Sequence, residues 1–162
     1  MPAEPFEGVE GVHPETGLAT DYLNHYNEIV MLLELVSDMP ECIEDASDWQ
    51  PKSYVDHFRG SGLAIADGVI AAYEASPARY RDAFLASTRE LDLIIAPAIG
   101  EIARLYENGS EEAAVSLTET TLDAARGILG QLNGIIHGHL TIADIAISDD
   151  TEGAQALVDA MF

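Results

Sequence analysis

Residues 127–147 read GILGQLNGIIHGHLTIADIAI, and the reading of this stretch decides the fold. Gly130, Gly134 and Gly138 recur at four-residue spacing, with His137 and His139 on either side of the last glycine. Successive helical residues lie about 100° apart. On that wheel Leu132, Ile135, Ile136, Ile142, Ala143 and Ala146 share one broad apolar face, and His139 falls at its middle. His137 falls on the opposite, polar side with Asn133, Thr141 and Asp144. The three glycines form a strip of small residues at the border, where another backbone can approach closely.

Working outward, Ser110 caps this helix and Glu111 and Glu112 suit its positive end. The pattern runs to about Ile147, a length of roughly 57 Å if unbroken, so a bend near Gly127 or Gly130 is expected. Upstream, Ser76-Pro77 reads as N-cap and first turn of a helix ending at Asn108-Gly109. Pro97 lies inside it and is expected to kink or split it. A further helix is expected from Pro51 or Ser53 to about Ala75, with Ser53-x-x-Asp56 as its capping signature. It carries its own small-residue strip, Gly60, Ala64, Gly68 and Ala72, as a packing partner for the glycines downstream. The first helix is expected over about 20–38, with Tyr22, Tyr26, Ile29, Leu33 and Val36 as its core stripe. Between these two, the acidic loop ECIEDASDWQ has room for one helical turn, with Trp49 as its anchor.

The expected fold is therefore all-α: an antiparallel, up-and-down four-helix bundle over 18–148. A disordered, mobile N-terminal arm (1–17) precedes it, and a short C-terminal helix or docking tail (149–162) follows.

At 162 residues one domain is expected. Seven Lys and Arg stand against 29 Asp and Glu, for a net charge of −22, and Lys52 is the one lysine. Such a surface repels nucleic-acid phosphates and anionic lipid, so neither nucleic acid nor membrane is an expected partner. Cys42 stands alone, which excludes a disulfide framework or a Cys-based zinc site. The N-terminus has neither the basic region nor the apolar run of a signal peptide, and the expected location is cytoplasmic.

His139, centred on an apolar face, needs a partner. The plain reading is a neutral core histidine bonded to a backbone carbonyl or to Thr121, on the same face. The functional reading makes His139 and Thr121 part of a binding cavity inside the bundle. No cofactor is implied. His25-x-x-Glu28 offers two ligands of the kind di-metal bundles use, but no matching Glu-x-x-His occurs elsewhere. A divergent metal site from His25 or His57 with His139 resembles the three-histidine site of DinB-like bundles, without the i, i+4 histidine pair those carry.

His57 opens the stretch HFRGSG. This resembles the His-x-Leu-Lys-Gly-Ser motif of histidine phosphotransfer domains, one residue shorter, with Arg59, Gly60 and Ser61 in similar places. The resemblance implies phosphotransfer through His57. The last eight residues, QALVDAMF, resemble docking peptides that flagellar switch and chemotaxis proteins offer to receiver domains. It implies that Val158, Met161 and Phe162 bind a protein partner, a receiver domain. The leading expectation is a non-enzymatic interaction or regulatory protein in bacterial two-component or chemotaxis signalling, with a homodimer through the glycine strip as a further arrangement. The rival is a small-molecule or metal site in the bundle core near His139.

Overall fold

The computed structural model describes residues 5–140. Among these residues there are six α-helices and no strand. They are α1 (Leu23–Val36), α2 (Cys42–Ser47), α3 (Tyr54–Arg59), α4 (Ala66–Ala75), α5 (Ala78–Glu107) and α6 (Glu111–Ile136). A 3-10 turn, Thr20–Tyr22, leads into α1. None of the described helices is long and apolar enough to cross a membrane.

The core stripe of α1 is as the spacing required: Tyr26, Ile29, Leu33 and Val36 are fully buried. They meet Phe84, Leu91, Ile95 and Ile102 of α5 and Leu132 and Ile135 of α6 in one apolar cluster. α5 and α6, joined by the turn at Asn108–Ser110, make the most extensive helix pair. The acidic loop does hold a short helix. Cys42, Ile43 and Ala46 of α2 are buried against the body, while its carboxylates face outward.

The single helix expected up to Ala75 is two helices. Ser53 caps α3, its Oγ accepting the Asp56 N–H at 3.1 Å, but α3 stops at Gly60. Gly62 then takes φ +71°, a conformation a side chain resists, and α4 starts afresh at Ala66. α5, in contrast, is continuous through Pro97. The carbonyl that Pro97 leaves without a donor belongs to Leu93, and both residues lie on the exposed face of α5, where solvent can reach the backbone. Ser76 does not cap α5. Its hydroxyl donates to the Thr16 carbonyl at 2.7 Å and ties the N-terminal segment down.

That segment is packed, which corrects the expectation of a mobile arm for its described part. Phe6, Thr16 and Leu18 are buried. The Thr16 hydroxyl also donates to the Ile136 carbonyl, 2.6 Å away at the end of α6.

The largest correction concerns the stretch at 127–147. α6 ends at Ile136, and Gly138 is its stop signal, with φ +88°. The Gly138 N–H donates to the Ile135 carbonyl at 2.9 Å and the His139 N–H to the Gly134 carbonyl at 2.8 Å. These two bonds form a Schellman cap. Among the described residues no other helix packs on the glycine strip: a Cβ added at Gly127, Gly130 or Gly68 would meet none of them within 4 Å. At Gly138 it would lie 2.6 Å from a Glu15 carboxylate oxygen. Replacing Gly138 by alanine is therefore expected to cost about 1–2 kcal/mol, chiefly from the left-handed backbone. Urea unfolding measures this; an unchanged midpoint would mean that α6 does not stop there. Residues 141–162, with the expected C-terminal helix, lie outside the described part.

Candidate functional site

The first two turns of α1, the turn before it, the segment 49–53 and α3 converge on one cleft. Its geometry follows from local packing. Trp49 docks on α1, its indole N–H donating to the His25 carbonyl at 2.9 Å, which brings the chain between α2 and α3 across the start of α1. Tyr54 and Phe58 are the buried face of α3, so His57, beside them, turns toward Asp21 and His25.

His25 is 8% exposed. Its ring stacks on Trp49, centroids 4.8 Å apart, and meets Tyr26 edge-on at 5.2 Å. Its Nε2 is the one buried side-chain polar atom among the described residues with no hydrogen-bond partner. Burial pulls the imidazole pKa down to about 4, the Lys52 cation and His57 add to this, and the Gln50 backbone works weakly against it. His25 is thus neutral at neutral pH.

His57 lies across the cleft, its ring centroid 6.4 Å from that of His25. Its Nε2 is 3.0 Å from an Asp21 carboxylate oxygen, and its side chain is 16% exposed. Tyr22 packs against both rings, at 6.1 Å from His25 and 5.4 Å from His57. Asp21, Asn24, Glu28, Lys52 and Ser61 complete a cavity of about 410 Å³.

Behind the cleft runs a chain of hydroxyls. Tyr22 donates to the Lys52 carbonyl, the Tyr22 and Tyr26 hydroxyls are 3.2 Å apart, and Tyr26 lies 2.8 Å from Asp92 on α5. Burial pushes Tyr22 up to about 12 and Tyr26 well above its ordinary value, so neither ionises near neutral pH. Burial also raises Asp92.

The sequence candidates are redistributed. His139 lies beyond the end of α6 and is exposed, so it does not sit on an apolar helix face. Thr121 is buried within α6, its hydroxyl donating to the Leu117 carbonyl at 2.7 Å, and is not brought to His139. His137 is exposed as expected and donates through Nδ1 to the Asn133 carbonyl at 2.7 Å. His25 and His57, by contrast, are brought together, without His139. Among the described residues no three His, Cys, Asp or Glu side chains meet as a metal site. For phosphotransfer an open, exposed imidazole is required. His57 instead presents Nε2 to a carboxylate from a six-residue helix, a placement that disfavours an incoming phosphoryl group. Val158, Met161 and Phe162 lie outside the described residues.

Asp21, Lys52 and the Tyr22–Tyr26–Asp92 chain escaped the sequence reading. The run Tyr22, His25, Tyr26 at helical spacing was a usable signal for an aromatic slot around a histidine. The approach of Lys52 was not, because it depends on how Trp49 docks. No protein family, curated protein or solved structure significantly matches the chain.

Proposed function

We propose that the protein is a non-enzymatic helical binding protein, an antiparallel bundle whose cleft over His25 and His57 takes a small polar ligand. The observation that carries this reading is the buried, unpartnered Nε2 of His25. Leaving such a group without a partner costs about 1–3 kcal/mol, which a ligand hydrogen bond offsets on binding. A neutral imidazole offers one nitrogen as donor and the other as acceptor. Asp21 and Glu28 on the same cleft favour a ligand rich in N–H donors, such as a small amine. The dyad of His57 and Asp21 holds the cleft wall in place. Regulation follows if occupancy shifts the packing of the short α3.

The test is a titration with a panel of small primary amines and imidazole, followed through the ring nitrogens of His25 by NMR. A saturable shift of the His25 Nε2 resonance is expected, and the accompanying saturable shifts of the neighbouring His57 ring should be lost in His25→Phe. If none of these compounds moves that resonance at millimolar concentration, the reading fails.

A second reading, as a protein-interaction module, is supported by Met31, Leu35 and Met39. They stand 60%, 46% and 46% exposed at four-residue spacing along and just beyond α1. The partner would be a receiver domain or a second copy of this chain.

A further inference from the structure

α5 turns Leu85, Leu93, Ala96, Pro97 and Gly100 to solvent, on the side away from Leu91, Ile95 and Ile102 in the core. Leu93 is 69% exposed, more than any other large apolar residue described. From residue 91 to residue 100 the exposed positions are Leu93, Ala96, Pro97 and Gly100, and none of them has a polar side chain. Asp92 in this run is half-buried and accepts the Tyr26 hydroxyl at 2.8 Å. An apolar patch of this kind marks a contact surface, the more so on a chain with 29 Asp and Glu to place. Its middle is flat. Ala96, Pro97 and Gly100 have short side chains or none, and a Cβ added at Gly100 would meet no described residue within 4 Å. A second helix can approach closely there, with Leu93 standing above the surface.

The charges at the two ends of the patch decide what it fits. Arg89 and Glu90 stand on its N-terminal side, Arg104 and Glu107 on its C-terminal side, and all four are exposed. Arg89 and Glu107 are 18 positions apart, about five full turns, so they lie on one line along the helix. Glu90 and Arg104 are 14 positions apart and lie within about 40° of a second line. Along each line the sign at one end is opposite to the sign at the other. When a second α5 is laid antiparallel, with Pro97 and Ala98 at the centre, Arg89 faces Glu107 of the second copy and Glu90 faces its Arg104. Leu93 of each copy falls beside Gly100 of the other. A parallel pairing would instead set Arg89 against Arg89 and Glu90 against Glu90. A two-fold contact between identical chains must be its own complement, and this face is so in the antiparallel orientation. Arg104 already donates to Glu101 on its own helix and has donors left for a second carboxylate.

We propose that this face of α5 joins two copies of the chain in an antiparallel α5–α5 contact, with Leu93, Ala96, Pro97 and Gly100 at its centre and the Arg89–Glu107 and Glu90–Arg104 pairs at its ends. The contact is separate from ligand binding in the histidine cleft and uses a different face from Met31, Leu35 and Met39.

Sedimentation equilibrium of the full chain, from micromolar to millimolar concentration at physiological salt, tests it. A reversible dimer is expected. Leu93→Glu should weaken it about a hundredfold or more, because two leucines leave the contact and two carboxylates enter it. Arg89→Glu and Glu107→Arg each set like charges against one another at two symmetric places, and each should weaken the dimer about tenfold. The double variant Arg89→Glu/Glu107→Arg restores opposite signs and should recover the parent affinity, a result specific to the antiparallel register. The substituted residues are exposed, so the variants should fold, which circular dichroism checks. Met31→Glu on α1 should leave the dimer unchanged. The proposal is overturned if the chain is monomeric throughout, if Leu93→Glu associates as the parent does, if the double variant is no tighter than the single ones, or if Met31→Glu dissociates the dimer.

Discussion

Replacing Phe58 by alanine is expected to lower the unfolding free energy by about 3–5 kcal/mol, the range for truncating a buried phenylalanine. Phe58 is fully buried, with its ring 4.8 Å from Tyr54 and 4.9 Å from His57. α3 is six residues long, far too short to be helical on its own. It persists because Tyr54 and Phe58 fasten it to the core and Ser53 caps it. Losing Phe58 therefore removes core packing and releases the element that carries His57 to Asp21. Urea unfolding measures the first effect, and the His57 ring resonances report the second. Phe58→Leu should recover most of the stability. A loss below about 1 kcal/mol for the alanine variant would show that α3 is not anchored through this residue.

The second large effect is a dependence of stability on pH carried by His25. In the folded protein its pKa is about 4, against an ordinary value of 6.5 in the unfolded chain. Between these values the unfolded state binds a proton that the folded state does not. The stabilisation relative to a protonated ring is complete above about pH 6.5 and is lost as the pH falls from there to about 4. The interval corresponds to about 3 kcal/mol. His25→Phe has no such proton to take up. The stability difference between parent and variant should thus shift by about 3 kcal/mol against the parent from pH 7 to pH 4. Carboxylates that titrate over the lower part of this range do so in both proteins and cancel in the difference. Parallel stability curves for the two proteins would rule the effect out. A ligand on Nε2 would add stability to the parent alone, in proportion to its occupancy.

The two effects bear on one place. The cleft exists because three short pieces of chain are fastened over the start of α1: Trp49 through its indole, Lys52 through its carbonyl and α3 through its two aromatic anchors. The same fastening makes Lys52 part of the cleft wall. The histidine cleft presents a neutral imidazole beside Asp21, Glu28 and the Lys52 cation.

The all-helical character was legible in the sequence because it is written in local periodicity. Tyr22, Tyr26, Ile29, Leu33 and Val36 repeat at the spacing of one helix face, and every one of them is buried. The Ser53 cap and the stop at Asn108-Gly109 were legible for the same reason, since each is a contact within a few residues. Pro97 shows the limit of such reading: a proline breaks a helix only when the freed carbonyl has no other partner, and exposure of that face is a tertiary property. The histidine site was half legible. His25 and His57 stood out as residues, but 32 positions separate them, and nothing local brings their rings within 6.4 Å.

The glycine-rich stretch at 127–147 divides what was determined by sequence from what was not. Its apolar spacing alone was enough to place Leu132, Ile135 and Ile136 in the core. Whether Gly138 continues the helix or ends it depends on its φ, and a glycine permits both signs. The choice rests on long-range contacts: Thr16, held in place by Ser76, bonds the Ile136 carbonyl, and Glu15 lies against Gly138. With the helix stopped there, His139 turns to solvent, and the histidine in an aromatic slot is His25, more than a hundred residues earlier in the chain. Periodicity decides which residues become helical and which face is apolar; the side-chain bonds and close packing that join distant segments decide where a helix stops and which polar groups are left together in a cleft.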